Sequence, residues 1–142
     1  MINFLTGIQS TASALTAERQ RMEVISQNIA NVNTTRTSDG TPYQRAQVVF
    51  ENVLNQQLSG DGGGASTSVR VARIEKDPRP PRLIYNPTHP DANAQGMLAV
   101  PDINIHEEMA DLIASSRTFE ANLAVIKTAK SLAMQTLAIG KR

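Results

Sequence analysis

Large apolar residues fall at seven-residue steps near the start of the chain: Ile8, Leu15, Met22 and Ile29. Three residues before each stand Leu5, Ala12, Arg19 and Ser26. Alternating spacings of three and four put both columns on one face of a helix, the narrow seam of coiled-coil packing. The pattern predicts a helix over residues 5–32 whose second column decays to Arg and Ser. Asn31, Asn33, Thr34 and Thr35 break the pattern, and Asp39, Gly40 and Pro42 signal turns.

The last third carries a stronger version of the same stripe. Met109, Leu112, Ser116, Phe119, Leu123, Ile126, Lys130, Ala133 and Leu137 alternate by three and four without a break. Asn104 followed by Glu107 reads as a capping box that starts this helix, and Gly140 reads as its stop. Acidic Glu107, Glu108 and Asp111 come early, while Lys127, Lys130, Lys141 and Arg142 come late, an order that complements the helix dipole.

Residues 36–103 have another character. Gln47, Val48, Val49 and Phe50 predict a short strand, with extension into Val53, Leu54 and Leu58 as the alternative; Val69, Val71 and Ile74 predict another strand that ends before Pro78. Between them, residues 59–68 are rich in Gly, Ser and Thr and predict a flexible loop. Pro78, Pro80, Pro81, Pro87, Pro90 and Pro101 mark an extended stretch with little regular structure beyond a strand at residues 97–100. The expected fold is mainly α with a small β part. Residues 1–35 and 104–142 would pair as a coiled-coil-like discontinuous domain around a β-rich, irregular middle segment.

Helices of these lengths span about 42 and 50 Å. They share one seam, and the middle offers little apolar surface to cover the rest, so other subunits are the natural source of further cover. Aromatic residues make up only 4% of the 142-residue chain, and the formal charge is +1. Neither value favours nucleic acid or a membrane surface as the main partner. Cys is absent, which removes disulfides, thiolate nucleophiles and Cys-based zinc sites. The start has no basic region followed by a long apolar run, so no conventional secretory signal is expected. No stretch approaches the roughly 18 apolar residues of a membrane span.

His89 and His106 have no second nitrogen ligand at helical spacing, so no metal site is expected. No nucleophile elbow, phosphate-binding loop or dinucleotide fingerprint occurs, and neither a cofactor nor an enzymatic activity is expected. Arg70, Arg73, Lys76, Arg79 and Arg82 form a regular basic run with Glu75 and Asp77 interleaved. The run suits a solvated or partner-facing surface better than a phosphate track.

The segment Ser26-Gln27-Asn28-Ile29-Ala30-Asn31-Val32-Asn33-Thr34 resembles the N-terminal signature of bacterial flagellar rod and hook axial proteins. Three more stretches carry the resemblance across nearly the whole chain. They are Pro42-Tyr43-Gln44-Arg45 leading into Val48-Val49-Phe50-Glu51, His89-Pro90-Asp91-Ala92-Asn93 before Gly96, and the run from Glu108-Met109 through Ser116-Arg117 to Thr128-Ala129-Lys130-Ser131-Leu132. Distal rod and hook proteins usually continue the signature with Thr-Thr-Gly-Phe. Thr34-Thr35-Arg36-Thr37 stands there instead, which is most similar to the proximal rod branch.

That resemblance implies a structural subunit that leaves the cytoplasm through the flagellar type III export apparatus, without a cleaved signal peptide. It implies helical assembly in the periplasm, with copies of itself, proximal and distal rod subunits and the export-gate-proximal adaptor, into a drive shaft that transmits torque from motor to hook. It makes Ser26, Gln27, Asn28, Ile29, Ala30, Asn31, Asn33 and Thr34 candidate interface residues. The stripes nominate Ile8, Leu15, Met22, Met109, Leu112, Phe119, Leu123, Ile126 and Leu137 as the helix seam. A free-standing helical adaptor or secreted effector that binds one partner, and an enzyme or nucleic-acid binder using Arg70–Arg82, are the competing readings.

Overall fold

A computed structural model of the chain describes residues 2–55 and 66–140. Its elements are helix α1 (Ile2–Ala30), strands β1 (Ala46–Asn55), β2 (Ser66–Lys76), β3 (Arg82–Tyr85) and β4 (Met97–Val100), and helix α2 (Ile105–Ile139). The mainly α architecture with two long terminal helices and a small β middle is the one expected from the apolar spacing.

The helix ends follow from local side-chain chemistry. Asn104 Oδ1 accepts from the His106 amide at 3.1 Å, and Asn104 Nδ2 donates to Glu107 Oε1 at 3.0 Å. The first bond satisfies the His106 amide, which has no intrahelical acceptor, and the second fixes the capping side chain. At the other end the Gly140 amide donates to Thr136 O at 3.1 Å. Lys127 and Lys130 fall short of the final turn, which carries no basic side chain among the described residues. α1 stops without glycine: Asn31 Nδ2 donates to Gln27 O at 2.8 Å, and the Thr34 hydroxyl donates to Asn31 Oδ1 at 3.1 Å. Short polar side chains that bond nearby backbone compete with helix continuation.

β1 and β2 pair antiparallel from Ala46↔Lys76 to Asn55↔Ser66, with a bulge where Val49 faces Arg73 and Phe50 faces Val71. Both strands are longer than the apolar runs that announced them. The Gly-rich segment predicted between them lies largely outside the described residues, and its last three residues belong to β2. β3 and β4 form a second antiparallel pair, Arg82↔Val100 to Tyr85↔Met97. The proline pattern had predicted no strand at residues 82–85. Pro80 and Pro81 precede β3 rather than interrupt it, and proline before a strand removes no ladder hydrogen bond.

The connection from β3 to β4 turns on Asn93, whose Oδ1 accepts from the Gln95 and Met97 amides, both at 2.9 Å. It also turns on Gly96, at φ +74°. A Cβ there would come within 3.0 Å of the Tyr85 ring and 3.1 Å of Pro87 Cβ. Only glycine meets both the left-handed backbone and the close approach.

α1 is the hub: α2, β1 and β2 all pack on it. The first hairpin lies along the helix, with Ser13 Oγ accepting from the Val69 amide at 3.2 Å. The end of α1 meets the start of α2, so the two helices run antiparallel. Ala17, Val24 and Ile25 are buried on α1, and Leu98 and Ile103 join the core from the segment leading into α2. Small Ala17 on α1 and Ser115 on α2 are both buried, which lets helices approach closely. No described helix is long and apolar enough to cross a membrane.

Candidate functional site: a buried polar joint

The most completely buried large side chains are polar. Asn28 of α1 and Glu108 of α2 are each 1% exposed. Asn28 Nδ2 donates to Glu108 Oε2 at 3.0 Å and to Ala46 O at 2.8 Å. Its Oδ1 accepts from the Ala46 amide at 2.9 Å and from the Tyr43 hydroxyl at 3.0 Å. Both amide hydrogens and both oxygen lone pairs are used, so no part of the group is buried unpaired. One side chain therefore joins α1 to α2 and to the first residue of β1.

Glu108 needs a cation at such burial. Arg45, the residue before β1, supplies it, with Nε 2.6 Å from Glu108 Oε1. The Asp77 amide donates to Arg45 O at 2.7 Å, which closes the base of the hairpin, and an Arg45 guanidinium nitrogen lies 3.9 Å from Asp77 Oδ2. Asp77 is held more tightly by Arg79, at 2.7 Å, and Arg79 also reaches Asp102 at 3.4 Å, just ahead of α2. A chain of charges thus runs Glu108, Arg45, Asp77, Arg79, Asp102 across three segments of the fold. The Arg79 hydrogen bonds hold the Asp77 carboxyl below its ordinary range, and the two guanidinium charges reinforce them. Burial, followed by the Glu108 charge, pushes the Tyr43 phenol up, which keeps it protonated and donating to Asn28.

The remaining signature residues are placed differently. Asn31 and Thr34 bond each other and the end of α1. Ile29 is half-buried. Ser26, Gln27, Ala30 and Asn33 are exposed. Of the seam residues, Ile8, Leu15, Met22, Leu112, Phe119, Leu123 and Ile126 are half-buried in the single chain. Met109 is 49% and Leu137 70% exposed, so neither is covered within one chain. The fully buried residues of α1 are instead Ala17, Val24, Ile25 and Asn28, of which Ala17, Val24 and Asn28 lie roughly opposite the large apolar column of Ile8, Leu15 and Met22 on the helix.

Spacing rules passed over Glu108, Arg45, Tyr43 and Asp77 as members of one constellation. Glu108 was read with its acidic neighbours as dipole compensation. The signal available was Asn28, a polar residue in the middle of a helical apolar pattern. The basic run divides: Arg70 pairs with Glu51, Arg73 with Glu75, and Arg79 with Asp77 and Asp102. Lys76 and Arg82 have no ion pair among the described residues.

The joint couples two helices and a hairpin into one body. That geometry is of the structural class, a subunit made of long helices held at a fixed angle to a small β part. Residues 8–36 match the family described as flagella basal body rod protein, and residues 94–139 match flagellar basal body rod FlgEFG protein C-terminal. Asn28 lies in the first match and Glu108 in the second. The flagellar basal-body rod protein FlgC of Bacillus subtilis (strain 168) is 42% identical over 92% of this chain and 94% of its own length. FlgC of Borreliella burgdorferi is 42% identical over 97% and 98%, and FlgC of Salmonella typhimurium 35% over 91% and 92%. The chain belongs to the FlgC family of flagellar basal-body rod proteins, and it is a structural rod subunit of the flagellar basal body.

Proposed function

We propose that this subunit acts without catalysis, as part of the proximal drive shaft that carries torque from the motor to the hook. Copies of the chain pack helically on one another and on proximal and distal rod subunits and the export-gate-proximal adaptor. Residues 1–35 and 104–142 form one discontinuous helical domain, and residues 36–103 form the middle segment. The assembly stands in the periplasm and is reached through the flagellar type III export apparatus, without a cleaved signal peptide.

The observation that carries this reading is the amount of apolar helix surface that the single chain leaves bare. Ile105, Met109, Ile113, Val125, Leu132, Met134, Leu137 and Ile139 of α2 are all exposed. Each would contribute about 1.5–3 kcal/mol on full burial, a large incentive for association. Torque needs subunits that do not bend internally, and the Asn28–Glu108–Arg45 joint supplies that stiffness. Ser26, Gln27, Ala30 and Asn33 are the signature residues exposed to meet a neighbour.

The absence of cysteine makes a direct test simple. Single cysteines at Leu132 or Leu137, cross-linked in purified basal bodies, should join this chain to copies of itself or to other rod subunits. Uncross-linked monomer from both positions, with normal incorporation, would overturn the reading. A defined small complex in solution that never extends on a rod template would favour the free-standing adaptor.

A further inference from the structure

Between β3 and β4, a histidine and an aspartate share one oxygen with a segment far away in sequence. Asp91 Oδ2 accepts the Thr35 hydroxyl at 2.8 Å, and Asp91 Oδ1 lies 3.7 Å from the Arg36 guanidinium. These contacts dock the β3–β4 turn on the loop that leaves α1. Thr35, Arg36, Pro42, Pro90 and Asp91 line a cleft of about 330 Å³ between the two. His89 Nδ1 accepts the backbone amide of Asp91 at 3.2 Å, so this nitrogen is unprotonated in the docked arrangement. The same nitrogen stands 3.9 Å from Asp91 Oδ2, the oxygen that Thr35 uses.

We propose that His89 is a proton-operated latch on this dock. Taking one proton from solvent at Nδ1 ends its role as acceptor for the Asp91 amide. It becomes a donor to Asp91 Oδ2 and draws that oxygen away from Thr35. No covalent bond changes, and the proton returns to solvent when the latch resets. Imidazole is the side chain suited to the task, because it changes charge between about pH 5 and 8. Among the described residues, Arg36 is the only other charged group within ion-pair distance of Asp91. It stands against the other oxygen, Oδ1, so imidazolium contends with the Thr35 hydroxyl alone for Oδ2. Acidification therefore loosens the β3–β4 turn from the loop after α1, while the Asn28–Glu108 joint stays closed. The motif His89-Pro90-Asp91, which the packing of the helices does not use, acquires a role as a conformational switch in the middle segment.

The test is a titration of the full-length chain from pH 8 to pH 5 followed by nitrogen and amide NMR. The His89 Nδ1 resonance, the Asp91 amide and the Thr35 signals should move with one midpoint. Exchange of the Asp91 amide, corrected for its intrinsic pH dependence, should rise several-fold below that midpoint. In His89→Asn the side-chain oxygen can still accept the Asp91 amide but does not titrate, so the Asp91 and Thr35 signals should stay flat. Asp91→Asn should hold Thr35 in its low-pH position at both ends. Constant Asp91 and Thr35 signals while His89 titrates would overturn the proposal, as would a midpoint that survives in His89→Asn. Should either variant fail to fold, the titration of the unaltered chain decides by itself.

Discussion

Asn28 shows how much one side chain can decide when its hydrogen-bonding capacity is fully used. Asn28→Ala removes four bonds and strands buried partners on Glu108 and on both backbone groups of Ala46, at a cost of about 1–3 kcal/mol for each orphaned group. Asn28→Asp is worse, because it sets a second carboxylate against Glu108 and abolishes both donors. An uncompensated buried charge costs about 3–5 kcal/mol. Urea unfolding should rank the variants unaltered, then Ala, then Asp; equal midpoints for Ala and the unaltered chain would show that the joint is not rigid. Asp77 gives the pH counterpart. Its folded-state carboxyl is acidified by Arg79 and Arg45, so its contribution is fully present above the ordinary carboxylate value and is lost as pH falls through the lowered one. Stability should therefore be insensitive to Asp77 from pH 7 to 5 and decline in stronger acid, and Asp77→Asn should blunt that decline in acid-unfolding curves.

Turns and helix faces make their own demands at the level of the element. Gly40 and Gly96 both have left-handed backbones, at φ 75° and 74°, but a Cβ on Gly40 would meet open space. Gly40→Ala should cost about 1–2 kcal/mol of backbone strain. Gly96→Ala adds overlap with Tyr85 and Pro87 and should cost clearly more, a difference readable in paired thermal melts. On α2, the half-buried column Leu112, Phe119, Leu123 and Ile126 continues the face of buried Glu108 and Ser115 along the helix away from the joint. A charge there loses about 1.5–3 kcal/mol of burial and adds desolvation. Leu123→Asp should block incorporation into the rod while leaving synthesis intact, scored by swimming and by immunoblots of purified basal bodies.

Among the described residues, burial is greatest near the joint and thins toward the far end of α2. From Glu108 to Ile139 α2 extends about 47 Å, and from Asn28 back to Ile2 α1 extends about 39 Å, so α2 overhangs its partner. Beyond Lys127 nearly every residue of α2 is exposed. Helical segments without a packed face are marginal in water. Amide exchange on the monomer should be slow around Val24–Asn28 and Glu108–Ser115 and fast over residues 130–139. Assembly should slow the latter. Uniform protection along α2 in a confirmed monomer would mean that its exposed faces do not need neighbours.

The two helices were legible in the sequence because seven-residue apolar spacing and capping residues act locally, within a few turns. Asn104 and Glu107 announced the start of α2 by the same short-range chemistry that forms it, whereas Gly140 marks the end of the helix in ordinary right-handed backbone. Strand β3 was not legible, since its four residues lie in a proline-rich run and owe their pairing to β4, which arrives later in the chain. The register of the helix pair was also hidden. Large side chains at Ile8, Leu15 and Met22 promised a seam and are half-buried, but the chain most fully buries Ala17, Val24, Ile25 and Asn28, mostly from the opposite face, because the hairpin and α2 share α1 between them. The joint itself is a purely tertiary product. Glu108, Arg45, Tyr43 and Asn28 carry ordinary propensities where they stand, and only the antiparallel return of α2 after 80 residues brings a carboxylate to an amide that needs one.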